Sequence, residues 1–422
     1  FSYSNVDYYD RYVVSLTLRG GEAGMGTVVK DDRFTGAITY TPLGNTGTGY
    51  PVGKVYQLSN TKVLGGTSLV GKALTEPMES KVGVWVYDVA SATVTDERLP
   101  STNVRNYNNT QDVLFEANKA PVSFVKAKDG RIWANAQYLA WDITLLFAQP
   151  TYTGLRSGLV RFDGNTGKIV DGPFITSADP KHINGETTAI SGNGDYAMFF
   201  EGAGLNDTFN TGQNLIVYDL SSSDMTQFNK LSFSDQSAGA SGGLWDAQFS
   251  PVYDENTSSW YALTRKNAAS DELNIVKISP SSVNDTVMTN VTVTNMSVTW
   301  PSDVNSSDRN TLRTAPFRAS NAKIYFGTSD AKLISYNPDD NSVAVVADFA
   351  LSSPDSSELR GFLNEEDGVL VGLIVDSTDS VSESATRVFR YDLTSETVIG
   401  TVDVTGKIST SEEFPGVNFI SN

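Results

Sequence analysis

The sequence predicts an all-β chain folded as a seven-bladed β-propeller of four-stranded antiparallel blades. Three observations predict it: one hairpin pattern recurs seven times, no convincing amphipathic helix interrupts it, and the strands at the two ends together complete the seventh sheet.

Each hairpin reads as an apolar strand, a Tyr/Phe-Asp step or its equivalent, a short polar turn and a second strand. The copies occupy 27–40, 84–99, 158–172, 215–231, 273–288, 332–346 and 387–402. Their turn anchors are Asp32, Asp88, Asp163, Asp219, Ser279, Asn337 and Asp392, at spacings of 56, 75, 56, 60, 58 and 55 residues. A long recurring period marks a repeat architecture. Alternating apolar residues suit half-buried strand pairs, and Asp, Asn, Ser and Gly supply the turns.

Two further strands precede each hairpin. Polar turns lead into apolar strands at 59–66, 127–137, 191–202, 255–264, 319–328 and 365–375, and shorter apolar segments lie before those turns at 54–59, 120–127, 187–191, 245–251, 314–319 and 358–363. Each unit therefore reads as four antiparallel strands, A to D. The N-terminal segment 11–19 and the first hairpin give three strands, and 416–421 gives the fourth. Joining the ends closes the ring and removes its open edges. The expected organisation is a single domain, 1–422.

Composition narrows the function. The chain has 422 residues, with 31 Lys+Arg against 49 Asp+Glu, a net charge of −18, no Cys and one His. An acidic chain is unsuited to nucleic-acid phosphates. Without Cys there are no disulfides, thiolate metal sites or thiol nucleophiles. One imidazole excludes the common catalytic zinc sites. No run of 18 apolar residues exists to span a membrane as a helix. No cofactor is expected. The chain opens on Phe1, without a charged and apolar leader, which suggests processing and export. The expected location is secreted, periplasmic or cell-surface, with a lipid anchor on a residue outside this chain compatible with it. Seven Asn-x-Ser/Thr triplets occur, about as many as composition alone gives.

The D–A and B–C connections of a propeller open on one face around the channel, and binding residues concentrate on such loops. The long ones are 66–82, 100–119, 140–156, 175–186, 203–213 and 295–312. Segment 100–119 carries Arg105 and Tyr107, and 140–156 carries Trp141, Phe147, Tyr152 and Arg156. Arg309, Arg313, Arg318 and Arg360 sit beside inner strands, with Lys181 near another. Forked Arg donors suit planar carboxylate, catecholate or sulfate groups. Aromatic residues such as Trp245 add stacking on a ring. The candidate ligand set is Arg105, Tyr107, Trp141, Tyr152, Trp245, Arg313, Arg318 and Arg360. The competing expectation is that these Arg pair with neighbours such as Asp246, Asp308 and Glu358. His182, in ADPKHING, has no visible nucleophile partner, and GEAGMG (21–26) lies between strands as a turn. The acidic segments 254–259, 337–342 and 364–368 lack full calcium-loop spacing.

The opening GTVVKDDRFTGAITY, followed by KVYQLSNTKVLGG, and the closing RVFRYDLTSETVIGTVDVTG resemble exported seven-bladed propeller lipoproteins of Bacteroidota. That resemblance implies work beside an outer-membrane uptake receptor, with iron–siderophore complexes among the ligands. It carries over no individual binding residue.

Three functions compete. The leading one is an exported, non-enzymatic protein that binds a small anionic or aromatic ligand, such as a ferric siderophore, or a glycan, on the long-loop face. The second is a lyase or hydrolase acting on an acidic polysaccharide, with Tyr107, Tyr152 or His182 moving the proton. The third is a structural or protein-interaction propeller, since this fold hosts many functions.

Overall fold

The computed structural model describes residues 12–16, 26–31, 38–44, 50–59, 61–68, 82–88, 91, 93–107, 111–121, 123–144, 149–175, 190–201, 214–222, 228–232, 250–267, 270–283, 288–307, 311–351, 356–377, 385–403 and 416–420. Among the described residues the fold is all-β: thirty strands and no α-helix, hence no helix long and apolar enough to cross a membrane.

The chain opens with β1 (Tyr12–Leu16), β2 (Gly26–Asp31) and β3 (Ile38–Gly44). A four-stranded sheet follows: β4 (Tyr50–Ser59), β5 (Lys62–Ser68), β6 (Gly83–Asp88) and β7 (Thr93–Arg98). The next sheet has six strands: β8 (Thr102–Tyr107), β9 (Gln111–Lys119), β10 (Val125–Lys126), β11 (Ile132–Asp142), β12 (Thr151–Phe162) and β13 (Ile169–Ile175). Three more four-stranded sheets come next. The first is β14 (Ser191–Gly192), β15 (Tyr196–Glu201), β16 (Asn214–Asp219) and β17 (Phe228–Ser232). The second is β18 (Val252–Asp254), β19 (Ser259–Asn267), β20 (Ser270–Val283) and β21 (Met288–Asn295). The third is β22 (Phe317–Arg318), β23 (Ile324–Gly327), β24 (Lys332–Asn337) and β25 (Ser342–Asp348). Last come β26 (Ser356–Glu366), β27 (Val369–Ser377), β28 (Ala385–Asp392), β29 (Thr397–Asp403) and the terminal β30 (Gly416–Ile420).

These small antiparallel sheets stand in a propeller arrangement. Central strands are buried continuously, as in β11 and β23, whereas the outermost strand β25 alternates between exposed and half-buried. The cause is coverage: a sheet packed between two neighbours has both faces covered, so its middle strands have no wet side. The apolar clusters record this in chain order. Leu64 and Val84 meet Ala134 and Val160; Trp133 and Leu159 meet Phe199 and Ile216; Leu215 and Val217 meet Trp260 and Val276. Tyr261 and Ile275 then meet Phe326 and Ile334, and Tyr325 and Leu333 meet Leu359 and Ile374. Each buried large apolar side chain contributes about 1.5–3 kcal/mol.

The expected seven separate blades are a point of correction. The hydrogen-bonded ladders of the described residues give six sheets, four of them four-stranded. One is eight-stranded, in the order β29-β28-β27-β26-β30-β1-β2-β3, because a single parallel pair, Phe362 with Gly416, links two sets of four strands. Within it the two ends of the chain pair as expected, Tyr12 opposite Ile420 through Leu16 opposite Gly416.

The turn anchors explain the repeat. Asp219 Oδ1 accepts the Ser221 N–H at 2.8 Å, Asp163 Oδ1 those of Asn165 and Thr166, and Asp392 Oδ1 those of Thr394 and Ser395. An Asx turn thus closes the C–D hairpin in several copies. Ser279 departs from the pattern. It lies inside β20, opposite Thr292, and shares a hydrogen bond with Ser259 at 2.8 Å. Asp32 lies outside the described residues.

Candidate functional site

A cavity of about 790 Å³ lies among the innermost strands. Its wall takes residues from β4, β10, β14, β18, β22 and β26 or their flanks, one segment from each of six repeats. Gly194, Glu255 and Ser320 belong to A–B turns and also line it, so the cavity sits toward the A–B-turn end of the channel. This departs from the expected site on the long D–A and B–C connections. Much of those connections, including most of 66–82, 175–186 and 203–213, lies outside the described residues.

Five of the six wall segments bring an aromatic side chain: Tyr56, Phe124, Tyr253, Phe317 and Phe362. Each also packs toward the core behind it. Phe124 meets Phe162 edge-on at 5.9 Å, and Tyr253 lies 4.6 Å from Trp260. Burial pushes the Tyr56 hydroxyl further above its ordinary pKa. The sixth segment carries Ser191 and Gly192 instead.

Arg318 on β22 is the charged centre of the wall. Its Nε donates to Asp254 Oδ1 at 3.0 Å, and one terminal nitrogen donates to the Ala319 carbonyl at 3.2 Å. A guanidinium has five N–H donors in a planar fork. Three therefore have no partner among the described residues, on a side chain that borders the cavity with 19% of its surface exposed. Asp254 is buried, which works against its charge. Hydrogen bonds from Thr257 and Arg318 outweigh that and hold its carboxyl below the ordinary carboxylate range. On the neighbouring segments, Glu365 accepts hydrogen bonds from the Ser320 N–H, at 2.7 Å, and from its hydroxyl.

The other sequence candidates fall elsewhere. Arg105 and Tyr107 lie on β8, because 100–119 forms a β-hairpin added to the sheet's inner edge rather than a loop. Trp141 is fully buried on β11 and meets Tyr152 of β12 edge-on at 5.8 Å, since strands also cover most of 140–156. Arg313 and Arg360 both contact Glu358, at 3.4 and 2.6 Å, the pairing the sequence offered as the alternative. Trp245, His182, Lys181, Arg309, Asp246 and Asp308 lie outside the described residues. Of the eight candidates, Arg318 alone is placed in the described cavity wall. Sequence reasoning missed Lys126, Tyr253 and Phe317, which line it too. The available signal was position: each sits at or beside an A segment. Among the described residues no three His, Asp or Glu side chains gather to hold a metal ion.

No protein-family model and no curated protein sequence matches the chain. Solved structures do. A protein from Lactobacillus plantarum is 11% identical over 97% of this chain and 99% of its own, with a TM-score of 0.51. Apo AztD from Citrobacter koseri is 13% identical over 97% and 98%, with a TM-score of 0.43. A Mycobacterium tuberculosis puromycin-hydrolyzing peptidase is 10% identical over 86% of this chain, with a TM-score of 0.45. The chain spans 54% of that peptidase's length. The likeness to the Lactobacillus plantarum protein is one of fold.

Proposed function

We propose that this chain is an exported, non-enzymatic propeller that binds a small molecule in its axial cavity, holding an anionic or carbonyl group of the ligand on Arg318 and a ring against the aromatic wall. The observation that carries the reading is the half-used guanidinium of Arg318 at the border of a cavity of about 790 Å³. That volume lies in the range of small-molecule sites, which are largely apolar with a few placed polar groups. The siderophore class gains no support from the cavity, and the proposal does not use it. One domain over 1–422 with seven repeats is part of the proposal, supported by counting the eight-stranded sheet as two blades joined at one pair. The lyase alternative gains nothing from Tyr152, which lies outside the cavity wall and packs edge-on against the buried Trp141.

The test is thermal shift and calorimetric titration against aromatic carboxylates and acidic oligosaccharides. A ligand that binds only the folded chain raises Tm by mass action. Arg318→Lys keeps a charge beside Asp254 but loses the fork, and it should weaken a binding ligand about tenfold. Unchanged affinity in both Arg318→Lys and Phe317→Ala would overturn the site.

A further inference from the structure

The cavity wall holds two charges of opposite sign that have no partner among the described residues. Lys126 stands on β10 and Glu255 in the turn after β18; both are exposed, and neither forms an ion pair among the described residues. The remaining charges of the wall are engaged, Arg318 with Asp254 and Glu365 with Ser320. Between β10 and β18 stands only β14, which with the turn after it contributes the small residues Ser191, Gly192 and Gly194 to the wall. Gly192 cannot be enlarged in place, because a Cβ there would lie 2.7 Å from the Tyr196 carbonyl oxygen. These two charges therefore flank a low stretch of wall.

We infer that the cavity takes a short peptide, or another zwitterion of similar length, laid across β14 with its carboxylate at Lys126 and its ammonium at Glu255. This deepens the ligand-binding reading above and rests on it. β10, β14 and β18 belong to three packed sheets, which lie about 10 Å apart face to face, so two steps span up to about 20 Å between backbones, and the long Lys126 and Glu255 side chains that line the cavity cover part of it. An extended chain covers about 3.3–3.6 Å per residue, so a peptide of about three residues reaches both charges. A free amino acid, with both charges on one carbon, does not. A ligand of this kind also suits an acidic chain better than a dianion, which the net charge repels.

The experiment is titration of Gly-Phe-Gly in four forms that share one backbone: free, N-acetylated, C-amidated and doubly blocked. The free peptide should bind tightest. Both contacts are exposed, so blocking either end should cost about three- to fivefold. Acetylation should lose its effect in Glu255→Gln, and amidation in Lys126→Gln; both substitutions are at exposed positions and should leave Tm unchanged. Four forms of equal affinity, discrimination that survives in both variants, or no binding of any form would overturn the inference. If no peptide binds but a ring-bearing carboxylate still acts through Arg318, the peptide inference alone falls. If neither binds, both readings fall.

Discussion

Arg318 on β22 and Asp254 on β18 form an ion pair across two neighbouring sheets, Nε to Oδ1 at 3.0 Å, with the carboxylate only 1% exposed. Removing one member of such a pair leaves a buried charge uncompensated. Arg318→Met should destabilise the fold by about 2–3 kcal/mol, because Thr257 still satisfies part of Asp254. The double variant with Asp254→Asn should recover part of the loss. Denaturant unfolding of the four combinations measures it.

The same pair predicts acid sensitivity. The folded pKa of Asp254 is depressed, and so is that of Asp330, where Lys332 and Thr328 outweigh burial. A depressed carboxylate stabilises the fold above its unfolded value, near pH 4, and that stability is lost as pH falls through the folded value. Tm should hold between pH 7 and 5 and drop below about pH 4, less steeply in Asp254→Asn. Thermal unfolding across that range decides it.

Gly66 on β5 should not tolerate a side chain. A Cβ there would come within 2.1 Å of the Pro121 carbonyl oxygen, in the connection between β9 and β10. Backbone cannot give way as a flexible side chain can, so Gly66→Ala should cost about 1–3 kcal/mol. A wild-type Tm would refute the close approach.

Asp219→Ala should weaken its hairpin by about 1–2 kcal/mol, since the Ser221 N–H and hydroxyl both lose their acceptor. Asp219→Asn, which keeps an acceptor oxygen, should cost less. Equal losses would mean that the turn does not depend on that oxygen.

Trp141→Ala should cost about 3–5 kcal/mol through the cavity it leaves in the core, and ligand affinity at the axial cavity should not change. Loss of affinity in a still-folded variant would return Trp141 to the binding site.

The fold was largely legible because its signals are local. Asp163, Asp219 and Asp392 announce their hairpins by bonding to residues two or three positions on, so the turn is written in adjacent letters. The pairing of the two ends was legible by counting strands. The site was less so. Nothing local distinguishes Arg318, which lines a cavity, from Arg360, which pairs with Glu358; the difference lies in which segments face each other across sheets. Segment 100–119 reads as a polar connection, yet β9 finds a free edge on the long strand β11 and brings β8 with it. Trp141 looks like an exposed loop aromatic until β11 and β12 are seen to run on past the usual strand length.

The ladder from Tyr12–Ile420 to Leu16–Gly416 places the beginning and the end of the chain on adjacent strands. Rotational order is then indifferent to where the covalent chain is cut. A circular permutant that links the present ends and opens instead at an A–B turn, such as the one after β18, keeps every ladder. Tension applied to β1 and β30 from outside the ring bears first on that five-pair seam, so under load the ring should unfasten there before any other sheet gives way.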